Sequence, residues 1–122
     1  MKPINYSQGN EQGILALKII SQFQNSVEES GHIFAIVHLP LIDYVSSSLS
    51  DKELPYQWML DQIDKETDII DPMESLKKLA LDSSLDNLIV VSHYSPNANK
   101  VIATTIAEWI EIRKIDLLPI RR

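Results

Sequence analysis

This acidic chain has 122 residues, of which 44% are hydrophobic, with three glycines, six prolines, no cysteine and a formal net charge of −6. These values predict one domain over residues 1–122 with a modest core. The negative charge argues against a nucleic-acid partner, because phosphate contacts need a clustered basic face. The lack of cysteine excludes disulfides, zinc–thiolate sites and thiol nucleophiles.

We expect neither a targeting signal nor a cofactor motif in this sequence. Residues 1–7 are polar, unlike a signal peptide, and no apolar run approaches the roughly 20 residues of a membrane span. Neither His32 nor His38 has a second histidine or a carboxylate at metal-ligand spacing, so both are interpreted as structural. We therefore expect a cytoplasmic protein without a membrane span, a cofactor or a metal.

The first predicted helix follows a polar, irregular stretch over residues 1–10. Apolar side chains then recur at helical spacing, namely Ala16, Ile19, Ile20, Phe23 and Val27. Gly31 fits the left-handed cap that ends many helices. The continuous apolar run 33–37 predicts a strand covered on both faces, which must end before Pro40 because proline has no N–H for the ladder.

The middle of the chain predicts two further helices with a strand between them. Residues 41–53, with three serines in a row, fit a loop or a short surface helix. A helix is expected from about Pro55, followed by a short strand at Asp68–Ile70. The next helix, over residues 73–81, should bury Met73, Leu76 and Ala80.

The last predicted strand and helix enclose a histidine-containing segment. Residues 88–91 are apolar and indicate a buried strand. Ser95 and Pro96 form a strong helix start, as N-cap and first helical residue, for an amphipathic helix that includes residues 101–113 and is followed by an irregular tail over 115–122. The segment between them places His93 after the carboxyl end of a strand, where open α/β sheets bind ligands.

The alternation of helices and strands predicts an α/β fold with a small parallel sheet of three strands. Because the strands are apolar throughout, helices should cover both faces, giving a three-layer α/β/α arrangement. A parallel sheet this narrow has two open edges. Such edges make a homo-oligomer, or another chain segment that covers them, the expected partner.

Residues 88–103 read Leu-Ile-Val-Val-Ser-His-Tyr-Ser-Pro-Asn-Ala-Asn-Lys-Val-Ile-Ala. This block resembles the last motif block of SGNH/GDSL-type hydrolases, where a histidine precedes a small-Pro-x-x-Asn stretch and a closing helix. The Leu39-Pro40 strand end and Asp71-Pro72 before a helix are similar to other pieces of that region. The resemblance runs from about residue 12 to 113 and covers only the C-terminal half of such a flavodoxin-like domain.

The resemblance implies a serine ester or acyl hydrolase, in which a serine attacks the acyl carbon, a histidine acts as general base and an aspartate orients it. Of these parts, the histidine maps onto His93, the candidate catalytic residue. The Gly-Asp-Ser nucleophile block is missing, and Val90 occupies the position three residues before the histidine where the aspartate is expected. We therefore expect a truncated hydrolase-like protein, inactive alone unless a complementing N-terminal segment completes it.

The other conspicuous residues have simpler interpretations. The acidic side chains between residues 61 and 68 are typical of a solvated face, with a divalent-ion site as the alternative. Ser46 to Ser48 have no adjoining base, and Trp58 and Trp109 fit packing within helices. His93 itself has the alternative of a loop histidine that bonds to local backbone.

The sequence is compatible with three functions. The first is a hydrolase half that becomes active when another segment supplies the serine. The second is a catalytically silent relative of such hydrolases. The third is a small α/β interaction module, unrelated to hydrolysis, that pairs through an open sheet edge.

Overall fold

The computed structural model describes residues 8–117, which are mixed helix and strand and 64% helical. The strands form two separate sheets of two strands each, β1 with β2 and β3 with β4. The prediction of mixed α/β content is confirmed. The prediction of a single parallel sheet with three strands was wrong for the described residues. The elements are α1 (Glu11–Glu29), β1 (Ala35–Val37), α2 (Ile42–Leu49), α3 (Gln57–Asp64), β2 (Asp68–Ile70), α4 (Met73–Asp82), a 3₁₀ turn (Leu85–Leu88), β3 (Ile89–Val90), β4 (His93–Tyr94) and α5 (Pro96–Leu117).

Two compact units make up the described chain. The first comprises residues 8–36 and 51–69, and the second comprises residues 37–50 and 70–117. Helices α1 and α3 belong to the first unit, and the second contains α2, α4, the 3₁₀ turn, β3, β4 and α5. The predicted single domain over residues 1–122 stays a prediction.

In the first unit, α1 has well-defined ends. It begins where the Asn10 side chain accepts the Gln12 N–H at 2.9 Å, which satisfies one of the free donors of the first turn. It ends where Gly31 adopts a φ of +80°, and the N–H groups of Gly31 and His32 bond back to carbonyls of the last turn. These two bonds form the cap that glycine favours, so the predicted left-handed cap is confirmed.

The core of the first unit is small. α1 packs against α3, where Leu60 and Ile63 are buried, and Phe23 meets Phe34 edge-to-face with ring centroids 5.3 Å apart. Much of the apolar surface of α1 nevertheless remains exposed, including part of the predicted stripe. The exposed large apolar side chains of this helix are Ile14, Leu15, Ile19 and Phe23.

The second unit is built around α4. This helix packs against α2, the 3₁₀ turn and α5, and it buries Met73, Leu76 and Ala80 as predicted. Their i, i+3, i+7 spacing places them on one face of the helix. The rest of this core consists of Val45, Ile70, Leu88, Ala98 and Ile102.

The strand predicted over residues 88–91 is present but covers only Ile89–Val90, and its predicted burial was wrong. Leu88 ends a 3₁₀ turn and is buried, but Val90 and Val91 are 54% and 92% exposed. The strand covers two residues and pairs antiparallel with His93–Tyr94. The chain turns back here because the N–H of Ser95 bonds to the Leu88 carbonyl at 2.8 Å, which closes a hairpin in place of a crossover.

The remaining boundaries differ little from the predictions. Of the two possibilities for residues 41–53, the short helix is confirmed as α2, and the helix expected from about Pro55 begins at Gln57. β1 covers residues 35–37 of the predicted 33–37, and β2 has the predicted bounds. α5 starts at Pro96 as predicted and continues to Leu117. The predicted irregular tail over 115–122 was therefore wrong at residues 115–117, which are helical, and residues 118–122 lie outside the described residues.

The contribution of α4 to the stability of the second unit can be tested with two leucines of that helix. Leu76 is fully buried, so Leu76→Ala should lower the free energy of unfolding by about 2–5 kcal/mol through lost burial and the cavity left behind. Leu81 is 74% exposed, so Leu81→Ala should change it by less than about 0.5 kcal/mol. Urea unfolding followed by circular dichroism measures both, and equal effects would contradict this account of the core.

Candidate functional site

His93 is the first residue of a tight β-hairpin's second strand. Val91 and Ser92 form the two-residue turn, and Val90 lies directly opposite His93 in the register. The hairpin leads directly into α5. His93 is therefore placed by the turn before it and by the helix start after it, and its side chain is exposed.

A groove of about 370 Å³ opens beside His93. One wall is the segment after β1, residues 39–43, and the other is formed by residues of the hairpin between 88 and 94. Its volume falls within the range of small-molecule sites, which are mainly apolar with a few polar groups. The apolar lining consists of Leu39, Pro40, Leu41, Ile42, Leu88 and Ile89.

Two hydroxyl groups hold these walls in place. The Tyr94 hydroxyl donates to the Pro40 carbonyl, which joins the two walls directly. Burial raises the pKa of the Tyr94 phenol, so this hydroxyl remains a neutral donor at physiological pH. The Ser95 hydroxyl donates to the Asn87 carbonyl at 2.5 Å and accepts the Ala98 N–H at 3.1 Å, so it fixes the hairpin to the first turn of α5.

The polar lining of the groove brings three relevant side chains together. Asp43, Ser92 and His93 all line it, in the residue types of a serine hydrolase triad. Among residues 8–117, however, no hydrogen bond joins the His93 ring to either of the other two. The groove thus offers an exposed imidazole and a carboxylate without the geometry of an assembled triad.

The turn before His93 has an unusual backbone. Val91 has a φ of +60°, a left-handed conformation that is a clear outlier for a β-branched residue. Two-residue hairpins favour glycine at such a position, because its lack of a Cβ removes the steric penalty. Strain of this kind persists where surrounding contacts impose it and tends to lie beside functional residues.

We expect Val91→Gly to stabilise the protein. The left-handed backbone destabilises the folded state by about 1–2 kcal/mol at valine, and glycine would relieve this strain. Glycine also makes the unfolded chain more flexible, which offsets roughly half of that gain. Since the Val91 side chain is 92% exposed, its removal sacrifices little burial. The free energy of unfolding should rise by about 0.5–1 kcal/mol in urea titrations. Val90→Gly, at a strand residue without positive φ, is the control and should destabilise.

The structure pairs His38 with Asp71, which the sequence interpretation did not foresee. His38 is 7% exposed, and its Nδ1 lies 3.0 Å from Asp71 Oδ1. Asp71 Oδ1 also accepts the Met73 N–H at 3.0 Å, at the start of α4. Partial burial raises the pKa of Asp71, but the hydrogen bonds from His38 and Met73 and the charge of His38 lower it overall. The ionised carboxylate thus makes Nδ1 the protonated nitrogen.

The contact between His38 and Asp71 has a structural role. It joins the end of β1 to the start of α4, and the burial of His38 closes it to a substrate. The interpretation of His38 as structural therefore agrees with its environment. The sequence did hold a signal, because His38 directly follows β1 and Asp71 directly follows β2, and those strands pair. Local spacing does not reveal this pair, because 33 positions separate the two residues along the chain.

Asp71→Asn should lower the free energy of unfolding by an amount that depends on pH. Because the folded pKa of Asp71 lies below its unfolded value, its contribution is complete above about pH 4 and is lost as the pH falls through the folded pKa. At pH 7 we expect a loss of about 1 kcal/mol in the free energy of unfolding, allowing for partial exposure.

The difference between the Asp71→Asn variant and the wild type should shrink towards pH 2 in urea titrations at constant ionic strength. Asp64→Asn, which removes an exposed charge, is the control at pH 7 and should change the free energy of unfolding by less than about 0.5 kcal/mol. A destabilisation by Asp71→Asn that stays constant down to pH 2 would exclude the ionised pair.

The other residues singled out in the sequence do not line the groove. The acidic side chains between 61 and 68 are exposed, and so is His32. In the described part of the chain, no group of three or more His, Asp or Glu residues could hold a metal ion, and no helix is long and apolar enough to cross a membrane. Ser46 to Ser48, Trp58 and Trp109 are partly buried on helices.

Comparisons of the chain with family models, curated proteins and solved structures found no match. Function is therefore inferred from the groove and its residues.

Proposed function

We propose that His93 is the general base of an SGNH-type ester hydrolase, completed by a nucleophile from a segment outside residues 8–117. In this proposal the described elements form the C-terminal part of such a hydrolase domain. By itself this half is catalytically silent, because it has no Gly-Asp-Ser block. His93 would take the proton of the attacking serine and return it to the leaving alcohol.

The observation that carries this proposal is the exposed His93 imidazole on the edge of an apolar groove. A general base must reach the attacking hydroxyl within hydrogen-bond distance, which requires an accessible ring nitrogen. His38 is buried and tied to Asp71, so it cannot serve. The strained backbone of Val91 next to His93 supports the same assignment, since such strain clusters at functional sites.

The second part of the proposal concerns the carboxylate that would orient the His93 ring. Val90 lies opposite His93 across the hairpin, and the Cβ atoms of such pairs are about 4.5–5.5 Å apart. An aspartate at position 90 would therefore be close to the imidazole. With valine there, His93 would act as a base without an orienting partner on its own hairpin.

The test is hydrolysis of ethyl butyrate by the product of the complete reading frame, measured as proton release at constant pH. An unactivated ester is used because exposed imidazoles attack activated esters directly. His93→Gln should lower kcat/KM by about 10²–10⁴-fold, the usual contribution of a general base. His32→Gln removes another exposed histidine and should leave kcat/KM unchanged.

Two further measurements sharpen this test. Val90→Asp should raise kcat/KM by about tenfold, because a carboxylate beside His93 would orient it. The 122-residue chain alone should release acid at the background rate. Turnover that survives His93→Gln, or a complete reading frame without a Gly-Asp-Ser segment, would rule out the proposal.

The second candidate is an interaction module, and one observation favours it. Both sheets in the described chain have two strands, so each strand has an edge without a partner strand in its sheet. Edges of this kind can pair with another chain. A concentration-dependent dimer in analytical ultracentrifugation, together with no His93-dependent turnover, would favour this function over hydrolysis.

A further inference from the structure

The groove beside His93 also indicates which acyl group it would accept. We infer that it binds the uncharged aliphatic acyl group of an ester. The link between this binding and catalysis rests on the proposed function. Leu39 and Leu41 are 55% and 64% exposed along the groove. An alkyl chain lying on them would remove apolar surface from water, which is the main driving force for such binding.

The charges of the groove disfavour an anionic acyl group. Asp43 lines it, and no lysine or arginine does so among the described residues. A terminal carboxylate would therefore lie near a like charge, without a cation to compensate for its lost hydration. An uncharged alkyl chain has neither cost.

The groove is also held in shape before anything binds. The bond from the Tyr94 hydroxyl to the Pro40 carbonyl joins its two walls, and the Ser95 cap fixes the hairpin to α5. A preformed site loses less free energy to ordering on binding than a flexible one. Its volume of about 370 Å³ lies near the lower end of the range for small-molecule sites, which suits a short chain.

The test measures binding without turnover, with the 122-residue chain and two matched esters. Ethyl butyrate is uncharged, and monoethyl succinate carries a carboxylate in place of the terminal methyl group. Ethyl butyrate should shift the methyl NMR signals of Leu39, Leu41 and Ile42 saturably, with a Kd of about 1 mM. Monoethyl succinate should bind at least tenfold more weakly.

Two leucine variants locate the site. Leu39→Asn changes an exposed residue of the groove and should weaken ethyl butyrate binding at least fivefold. Leu81→Asn changes an exposed leucine on α4 that does not line the groove, and it should leave the Kd unchanged. The dispersion of the methyl spectrum checks that both variants remain folded.

Each contrary result has a definite meaning. Equal binding of the two esters, equal loss in both leucine variants, or no saturable shift of the groove methyls would overturn the acyl-binding inference. Chemical shifts that depend on protein concentration and not on ester would overturn it too, because a second copy would then occupy the groove. Saturable binding without His93-dependent turnover in the complete product would instead refute the proposed function and leave the binding site standing.

Discussion

Burial of one face of α4 is the constraint on which the second unit depends. Met73, Leu76 and Ala80 lie on that face, and the helix packs against α2, the 3₁₀ turn and α5. The 3₁₀ turn leads into the hairpin that carries His93, and α2 begins within the segment that forms the opposite wall of the groove. Both walls of the candidate site are thus attached to elements that pack on the same helix.

The helix start at Ser95 imposes the second constraint. Its hydroxyl accepts the Ala98 N–H and donates to the Asn87 carbonyl, while its N–H bonds to the Leu88 carbonyl. These bonds bring residues 87 and 95 together, so the seven residues between them must fold back on themselves. The turn of this closure includes Val91, whose φ is +60°, and the exposed His93 follows the turn.

The two histidines of the second unit have different roles because their environments differ. His38 is buried and held by an ionised carboxylate that also binds the first turn of α4, so its contribution is to stability. His93 is exposed on an apolar groove, with no hydrogen bond to the Asp43 or Ser92 that share it. An imidazole used in acid–base chemistry needs access to a substrate, and only His93 has it.

The sequence by itself determined the local elements, because their signals act over a few residues. Asn10, Gly31 and Ser95 are local capping groups, and apolar spacing along α4 specified its buried face. The partnership of the strands and the pairing of His38 with Asp71 were decided by tertiary structure, since both join distant parts of the chain. Residues 88–91 show the difference most clearly, because their β-branched side chains favour extended backbone anywhere, and only the closure at Ser95 made them a hairpin with exposed valines.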